Sequence, residues 1–475
     1  MPSNITKPKC TWDARPRTPL DYLYSNVLDG REAKDALEKL SSYIQIKTVS
    51  SEDPDYNGVG VFLGNYAREL GLEFKKVQLP DFPEKPFYLL TLPGRNTKLP
   101  SILLMSHTEV VPAPAQDWIV DPFSGHIDDD EGKVYGRGTQ DMKSVAIQYL
   151  EAIRQIVKRY WQHLEEMHRD TDQVENTRKS GSARSGEYLS SPLERSVHLL
   201  FAPDEEIRSS VMSTFLDTEL FKSLQVAFAL DEGCASCSSF YWLHYAEKTR
   251  VLAKFKVTGK PAHSASLQAN STGQRFAKLL SFLYNERNIQ EKLMLAKKET
   301  SSEVITINVT MVSGGVQENM IPPELEATVD IRFPPKYSYP EINRLLEEWC
   351  RQAGPGVSFV DQRAVSAQSV CPCPCPNETA VVEPAATDKW WTLVTGALEK
   401  HLAPPQSVRY KAAVFPGASY AQFLRARGVP CIGFSPIANT PVLPHAENEF
   451  VYTKEFLRGV AVYIDIISDL ANSAF

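Results

Sequence analysis

The sequence predicts an α/β protein in two parts, a domain built on a parallel sheet and a smaller α+β domain inserted into it. Three observations predict this. Short apolar runs at Ile102–Met105, Val197–Ala202 and Gln225–Leu230 read as strands buried on both faces, the pattern of a parallel sheet. A stretch of helical period separates the first two. Farther on, from Leu252 to Val360, the elements follow the order β-α-β-β-α-β, the ferredoxin-like arrangement. A chain of 475 residues also exceeds what one hydrophobic core usually supports, so two domains are expected.

Taken in order, residues 1–30 are polar and proline-bearing and read as an N-terminal arm. From Arg31 the run DALEKLSSYIQI has helical spacing, and 57–70 predicts a second helix leading into a strand over Glu73–Gln78. Phe87–Leu92 and Ile102–Met105 are further strands. Over Met142–Tyr160, apolar residues recur at Val145, Tyr149, Ile153, Ile156 and Tyr160, one face of a helix. Composition changes at Gln162. From there to Glu194 the chain is rich in charge, Ser, Gly and Arg. It offers too little apolar area to order itself, which predicts a disordered insert over 162–194.

The inserted domain, placed at 250–369, comprises strand Leu252–Val257, helix Gly273–Tyr284, strands Val304–Met311 and Leu325–Phe333, helix Pro340–Arg351 and strand Gly356–Val360. Val370–Pro376, with its CPCPCP tract, reads as a linker. The first domain, begun over 31–249, resumes over 370–475. It contributes helices at Trp390–His401 and Phe415–Arg427, a strand at Pro430–Phe434, a long loop carrying His445 and a last helix from Thr453.

Composition narrows the class of function. A formal charge of -7 and a pI near 5.8 argue against a nucleic-acid or anionic-membrane partner. No apolar run is long enough to span a bilayer, and MPSNITKPKCTWDARPR has no apolar core of a secretory signal. The eight cysteines are irregularly spaced, which fits a reducing cytosol. Cys234 and Cys237 form a C-x-x-C without a second one, a packing pair; Cys371, Cys373 and Cys375 lie in a proline-stiffened loop.

The chemistry concentrates at strand ends. His107 and Glu109 follow the first apolar run two residues apart, so on an extended backbone they point the same way. Ligands of open α/β sheets bind beyond the carboxyl ends of strands. Asp141 precedes the helix of 142–160, where the dipole and free N–H groups favour a carboxylate. Glu205-Glu206 and Asp231-Glu232 arrive in the same way, just past two more strands. Judged singly, each has a plain structural reading: a satisfied histidine, a solvated turn, a helix cap. Their recurrence at one sheet edge points to a shared metal centre.

The blocks SHTEVVP, YGRGTQDMKS, FAPDEE, ALDEG, GKPAHSA, ENMIP, DIRF and GFSPIANTPVLPHAE resemble the M20 family of metallopeptidases and amidohydrolases, and within it the aminoacylases, over nearly the whole chain. The resemblance implies a three-layer α/β/α zinc-hydrolase catalytic domain with an inserted ferredoxin-like dimerisation and lid domain. It implies five metal ligands, His107, Asp141, Glu206, Glu232 and His445, for two zinc ions per subunit. Asp141 would bridge, His107 and Glu232 completing one site and Glu206 and His445 the other. Cobalt or manganese are alternatives for this imidazole and carboxylate donor set. Glu205 would be general base and acid. Glu109 stands for a family aspartate that orients the histidine ligand through its other ring nitrogen. His263 would stabilise the oxyanion in the partner subunit's site, and Asn319 and Arg332 would bind substrate. The implied activity is cleavage of an N-acyl-L-amino acid by a homodimer, with a dipeptidase and a non-catalytic dimeric member as alternatives.

Three departures stand out against that family. Glu109 replaces aspartate; the extra methylene moves the carboxylate by about one C–C bond, and a change of rotamer lets it still reach the ring, so a shifted rather than absent interaction is expected. Ile207-Arg208-Ser209-Ser210 stands where the family has a glycine pair, so this turn must be built differently. Ser419-Tyr420-Ala421-Gln422-Phe423 aligns with T-D-N-R-Y. There Gln422 replaces an arginine suited to a substrate carboxylate, and it offers neither charge nor a bidentate fork.

Overall fold

The computed structural model describes residues 28–169, 191–207, 210–297, 301–361, 384–401 and 410–474. The chain forms two compact units, Met1–Leu243 with Val382–Ala412 and Val429–Phe475, and His244–Val381 with Ala413–Gly428. Expectations for the arm before residue 28, the CPCPCP tract and Arg208 fall outside the described residues.

The chain opens with helices α1 (Gly30–Gln45) and α2 (Tyr56–Leu70). Asp29 caps α1 in a capping box with Glu32, and Asp55 caps α2, satisfying N–H groups that a helix start leaves free. Then come strands β1 (Glu73–Leu79), β2 (Phe82–Leu92), β3 (Ser101–His107), β4 (Ile127–Asp128) and β5 (Lys133–Tyr135), and helix α3 (Lys143–Arg169). Strand β6 (Val197–Ala202), helices α4 (Ser210–Leu216) and α5 (Glu219–Ser223), and strands β7 (Val226–Asp231) and β8 (Tyr241–Glu247) follow.

The second unit holds β9 (Thr249–Thr258), β10 (Ala262–His263), α6 (Thr272–Lys297), β11 (Thr306–Gly314), β12 (Met320–Ile321), β13 (Glu324–Phe333), α7 (Tyr339–Ala353) and β14 (Val357–Asp361). The chain closes with α8 (Lys389–Glu399), β15 (Tyr410–Phe415), α9 (Ala421–Arg425), β16 (Cys431–Phe434), β17 (Phe450–Tyr452) and α10 (Thr453–Ala471).

The large sheet is mixed, in the order β1-β2-β6-β3-β7-β16-β8-β15. Strand β3 runs parallel to β6 and β7, and β16 runs parallel to β7. Every residue of β3 and of β6 is buried, the consequence of a parallel sheet covered on both faces. Because the central strands are parallel, the carboxyl ends of β3, β6 and β7 open on one edge. In this register His107 pairs with Ala202. Helix α3 packs on β3 and against α1 and α10. Each fully buried Leu, Ile, Val or Phe side chain of this core contributes roughly 1.5–3 kcal/mol.

The small sheet is antiparallel, in the order β11-β13-β9-β14. Together with α6 and α7 it bears out the ferredoxin-like expectation. Phe255, Leu279, Ile307, Val329, Leu346 and Trp349 form its core. The other face carries cross-strand ion pairs, Lys254–Glu326 at 2.9 Å and Lys256–Glu324 at 2.7 Å, of the kind that supports a solvated sheet face.

Two expectations are corrected. Helix α3 continues to Arg169, past Tyr160. Residues 162–169 are therefore helical, as suits a run of Gln, Leu, Glu, Met and Arg without Gly or Pro; residues 170–190 lie outside the described ones. The helix expected over Phe415–Arg427 is instead the end of β15 and the short α9, because Pro416-Gly417 interrupts it. No helix among the described residues is long and apolar enough to cross a membrane.

Candidate metal centre

Strand β3 delivers His107 to the sheet edge, where its side chain is 1% exposed. Its Nδ1–H donates to the carbonyl of Glu109 at 2.7 Å. That leaves Nε2 as the outward nitrogen, and it lies 2.8 Å from Asp141 Oδ1. Asp141 enters from the loop before α3, and its other oxygen, Oδ2, is 3.3 Å from His445 Nε2. Each oxygen of Asp141 thus faces a different histidine, the placement of a bridging carboxylate. His445 Nε2 is also 3.2 Å from Glu206. Glu232 follows β7. A Cβ on Gly233 would come within 2.5 Å of the Ser435 backbone nitrogen, so only glycine lets the chain pass β16 at this point.

Candidate ligand atoms of His107, Asp141 and Glu232, and of Asp141, Glu206 and His445, lie within 4.8 Å of one another in each group. The two groups share Asp141. The five residues singled out in the sequence as ligands therefore sit together.

The electrostatics of the site ask for a cation. Burial alone would raise Asp141, but the hydrogen bonds and charges of His107 and His445 outweigh it and hold the carboxyl well below the usual range. Burial would lower His107, yet its hydrogen bond to Asp141 and the charges of Asp141, Glu109 and Glu206 hold it well above its ordinary value. Hydrogen bonds to Asp141 and Glu206 push His445 up to about 10. Removal from water drives Glu232 well up, helped by the charges of Asp141 and Glu205. Removal from water also drives Glu205 up, against His107 and with Glu206 and Asp141. Oε2 of Glu232 is buried without a hydrogen-bond partner among the described residues. Burying such a carboxylate oxygen is costly unless it meets a cation. Imidazole and carboxylate donors without a thiolate fit zinc. Among the described residues, neither group includes a Cys Sγ.

The turn carrying Glu205 and Glu206 is held from two sides. Asp204 adopts a left-handed φ of 75°, a conformation in which Asp and Asn are over-represented among residues with a side chain. Its Oδ1 accepts Lys85 Nζ at 2.7 Å. Glu109 Oε1 accepts the backbone N–H of Glu205 and, at 3.2 Å, that of Glu206. The role expected of Glu109 is corrected here. Its main-chain carbonyl, not its carboxylate, holds His107, because the longer side chain reaches past the ring to the 205–206 backbone.

The remaining candidates lie in the second unit. His263 sits on β10, paired with Met320 of β12, and its Nδ1 accepts the Ala265 N–H at 3.1 Å. The Ser264 N–H donates to the Asn319 carbonyl at 2.9 Å, so His263 and Asn319 share one ribbon. Arg332 Nε donates to Asp330 at 3.1 Å. Gln422 Nε2 donates to the Ser419 carbonyl at 3.0 Å. Arg425, one turn on, reaches Glu247 at 3.3 Å and the carbonyl of His244, which commits its charge. Gln140, inside the YGRGTQDMKS block, and Glu449, just past GFSPIANTPVLPHAE, are given no role by the sequence; they underlie the loops of Asp141 and His445.

Comparison with known proteins gives the chain's relatives. Residues 103–165 match the peptidase family M20/M25/M40 and residues 245–358 a peptidase dimerisation domain. The chain is 33% identical to mouse (Mus musculus) aminoacylase-1 over 432 residues, 90% of this chain and 94% of that protein. It is 31% identical to human (Homo sapiens) aminoacylase-1 over the same 90% and 94%. Among solved structures, the M20 metallo-carboxypeptidase Sso-CP2 of Sulfolobus solfataricus superposes with a TM-score of 0.62 at 16% identity, covering 91% of this chain and 98% of that one.

Proposed function

Since the chain belongs to the M20 peptidase family, a family of metal-dependent amidohydrolases that includes the aminoacylases, we propose that it hydrolyses the amide bond of N-acyl-L-amino acids. The observation that carries this reading is the pair of donor groups joined through Asp141, beside the largely desolvated Glu205. His107, Asp141 and Glu232 would hold one zinc ion, and Asp141, Glu206 and His445 a second. Bound there, the ions would supply Lewis-acid polarisation of the scissile carbonyl and a more acidic water.

The chain's own residues do the rest. Glu205 takes a proton from the attacking water as its oxygen bonds to the carbonyl carbon. When the C–N bond breaks, the electron pair stays on nitrogen and Glu205 returns the proton to it. The products are a carboxylate and a free amino acid. Desolvation and neighbouring negative charge raise Glu205 towards the range a general base needs. With Nδ1 accepting from Ala265, His263 keeps its proton on Nε2, the donor an oxyanion requires. Asn319 shares its ribbon, and together with Arg332 it is a substrate-binding candidate.

The dimerisation domain supports a homodimer. So does the outer edge of β11, where Met311 and Val312 are 68% and 60% exposed, an unpaired strand edge of the kind a second chain completes. The irregular spacing of the eight cysteines supports the cytosol as the compartment.

The second reading is a peptidase using the same centre. The amide of Gln422 is spent on Ser419, so this position offers no charge to the carboxylate that an N-acyl amino acid and a dipeptide both carry, and it does not select between them. The test uses zinc-loaded protein on N-acetyl-methionine and on simple dipeptides, with Glu205→Gln as control. Release of methionine from the first, lost in Glu205→Gln, supports the aminoacylase reading. Glu205-dependent cleavage of dipeptides alone supports the second. No Glu205-dependent cleavage of either contradicts both and favours a non-catalytic member.

A further inference from the structure

Asp141 and His445 are 304 positions apart in a chain numbered from 1 to 475, and neither lies on a strand or helix. What holds them face to face is a buried polar knot behind the centre. Glu449 is fully buried. Its Oε1 accepts the backbone N–H of Gly138 at 3.1 Å and of Gln140 at 2.7 Å, and Thr139 Oγ1 at 3.4 Å. Its Oε2 accepts Arg137 Nη1 at 2.6 Å. One carboxylate thus gathers every residue from Arg137 to Gln140, the four that precede Asp141.

Gln140 reaches the other way. Its Nε2 donates to the carbonyls of Pro441 and Phe450, both at 2.8 Å, and its Oε1 accepts the Leu443 N–H at 2.9 Å. Arg137 Nη1 adds a bond to the Ala446 carbonyl at 3.1 Å. The backbone is therefore pinned on both sides of His445, at Leu443 and at Ala446. His445 itself has a φ of 64°, a left-handed conformation that residues with a Cβ adopt only where their surroundings impose it.

We propose that Glu449 and Gln140 are positioning residues for the metal centre, tying the Asp141 loop to the His445 loop so that this half of the centre is set before any cation binds. The inference rests on the two-ion reading above. The knot acts on one half more than the other. His107 is fixed separately, on β3 and by the Glu109 carbonyl, and Glu232 follows directly from β7. Asp141 serves both groups and keeps Glu449 as its anchor, but the three side-chain bonds of Gln140 all end on the segment around His445, so their loss weakens the Asp141, Glu206 and His445 group more than the other. A merely structural role would lower thermal stability and leave both sites alike.

Calorimetric titration of zinc into chelator-stripped protein separates these outcomes. Wild type is expected to show two binding events. Gln140→Met, which keeps volume and removes three hydrogen bonds, is expected to weaken one event by about 10–100-fold, the usual effect of losing a group that orients ligands. The other event should weaken less. In a His445→Ala background, where only the first site remains, Gln140→Met is expected to cause only that smaller loss. Glu449→Gln is expected to act in the same direction as Gln140→Met, and should it fail to fold, Gln140→Met carries the test. Two unchanged events in Gln140→Met, or both weakened equally, overturn the positioning role alone. No zinc bound by wild type overturns the two-ion reading itself, and this proposal with it.

Discussion

The carboxylate of Glu109 accepts the backbone N–H of Glu206 at 3.2 Å, and the neighbouring N–H of Glu205 meets the same oxygen. A side chain two residues past one candidate ligand thus sets the turn that carries another ligand and the candidate base. Glu109→Asp would withdraw the acceptor by about one C–C bond, roughly 1.5 Å. The expected outcome is a kcat lower by about 10–100-fold, with zinc content per chain unchanged. Steady-state kinetics beside metal analysis checks it, and an unaltered kcat removes Glu109 from the positioning of Glu205.

Strand β11 lies at the edge of the small sheet, with Met311 and Val312 exposed on it. A charge on a strand edge blocks edge-to-edge pairing. Replacing both residues by lysine is expected to convert a dimer to a monomer in light scattering, with the far-UV circular dichroism preserved. A dimer mass that survives the double substitution places the subunit contact elsewhere.

Much of the architecture was legible because burial leaves a mark in the sequence. Strands β3, β6 and β7 are enclosed on both faces, so their apolar runs stand out, and the residues just past their ends are where an open sheet binds ligands. Asp141 was legible from its place before α3. His445 was not legible in that way, since no periodicity marks its loop; the family resemblance alone suggested it. The partner of the Glu109 side chain is invisible for a different reason. One methylene decides whether a carboxylate meets a ring or a main chain, and that depends on a turn nearly 100 positions away. Glu449 and Gln140 escaped notice because buried polar groups reveal themselves only through the partners that satisfy them, and here those partners come from the far end of the chain. The short helix α9 was obscured by an apolar stretch whose proline and glycine outweigh its period.

His198 shows how burial sets a pH dependence away from the centre. Desolvation lowers its imidazole to about 4, and its Nδ1 meets Thr91 Oγ1 at 2.8 Å. The unfolded chain takes up this proton near pH 6.5, the folded one near pH 4. The stability the neutral ring contributes is thus complete above about pH 6.5 and is lost as pH falls towards 4. The slope is at most about 1.4 kcal/mol per pH unit. His198→Gln, which retains a partner for Thr91, is expected to narrow the gap between urea midpoints at pH 7 and pH 5. An equal gap in both proteins contradicts a neutral His198 in the fold.

The most direct measurement is the number of divalent ions retained per chain after stripping and reloading with zinc. Two groups of donors share Asp141, so wild type should retain two ions, His445→Ala one, and Asp141→Asn should lose both together. A wild-type chain that retains no ion, or an Asp141→Asn chain that holds two as firmly as wild type, would contradict a centre built around that carboxylate.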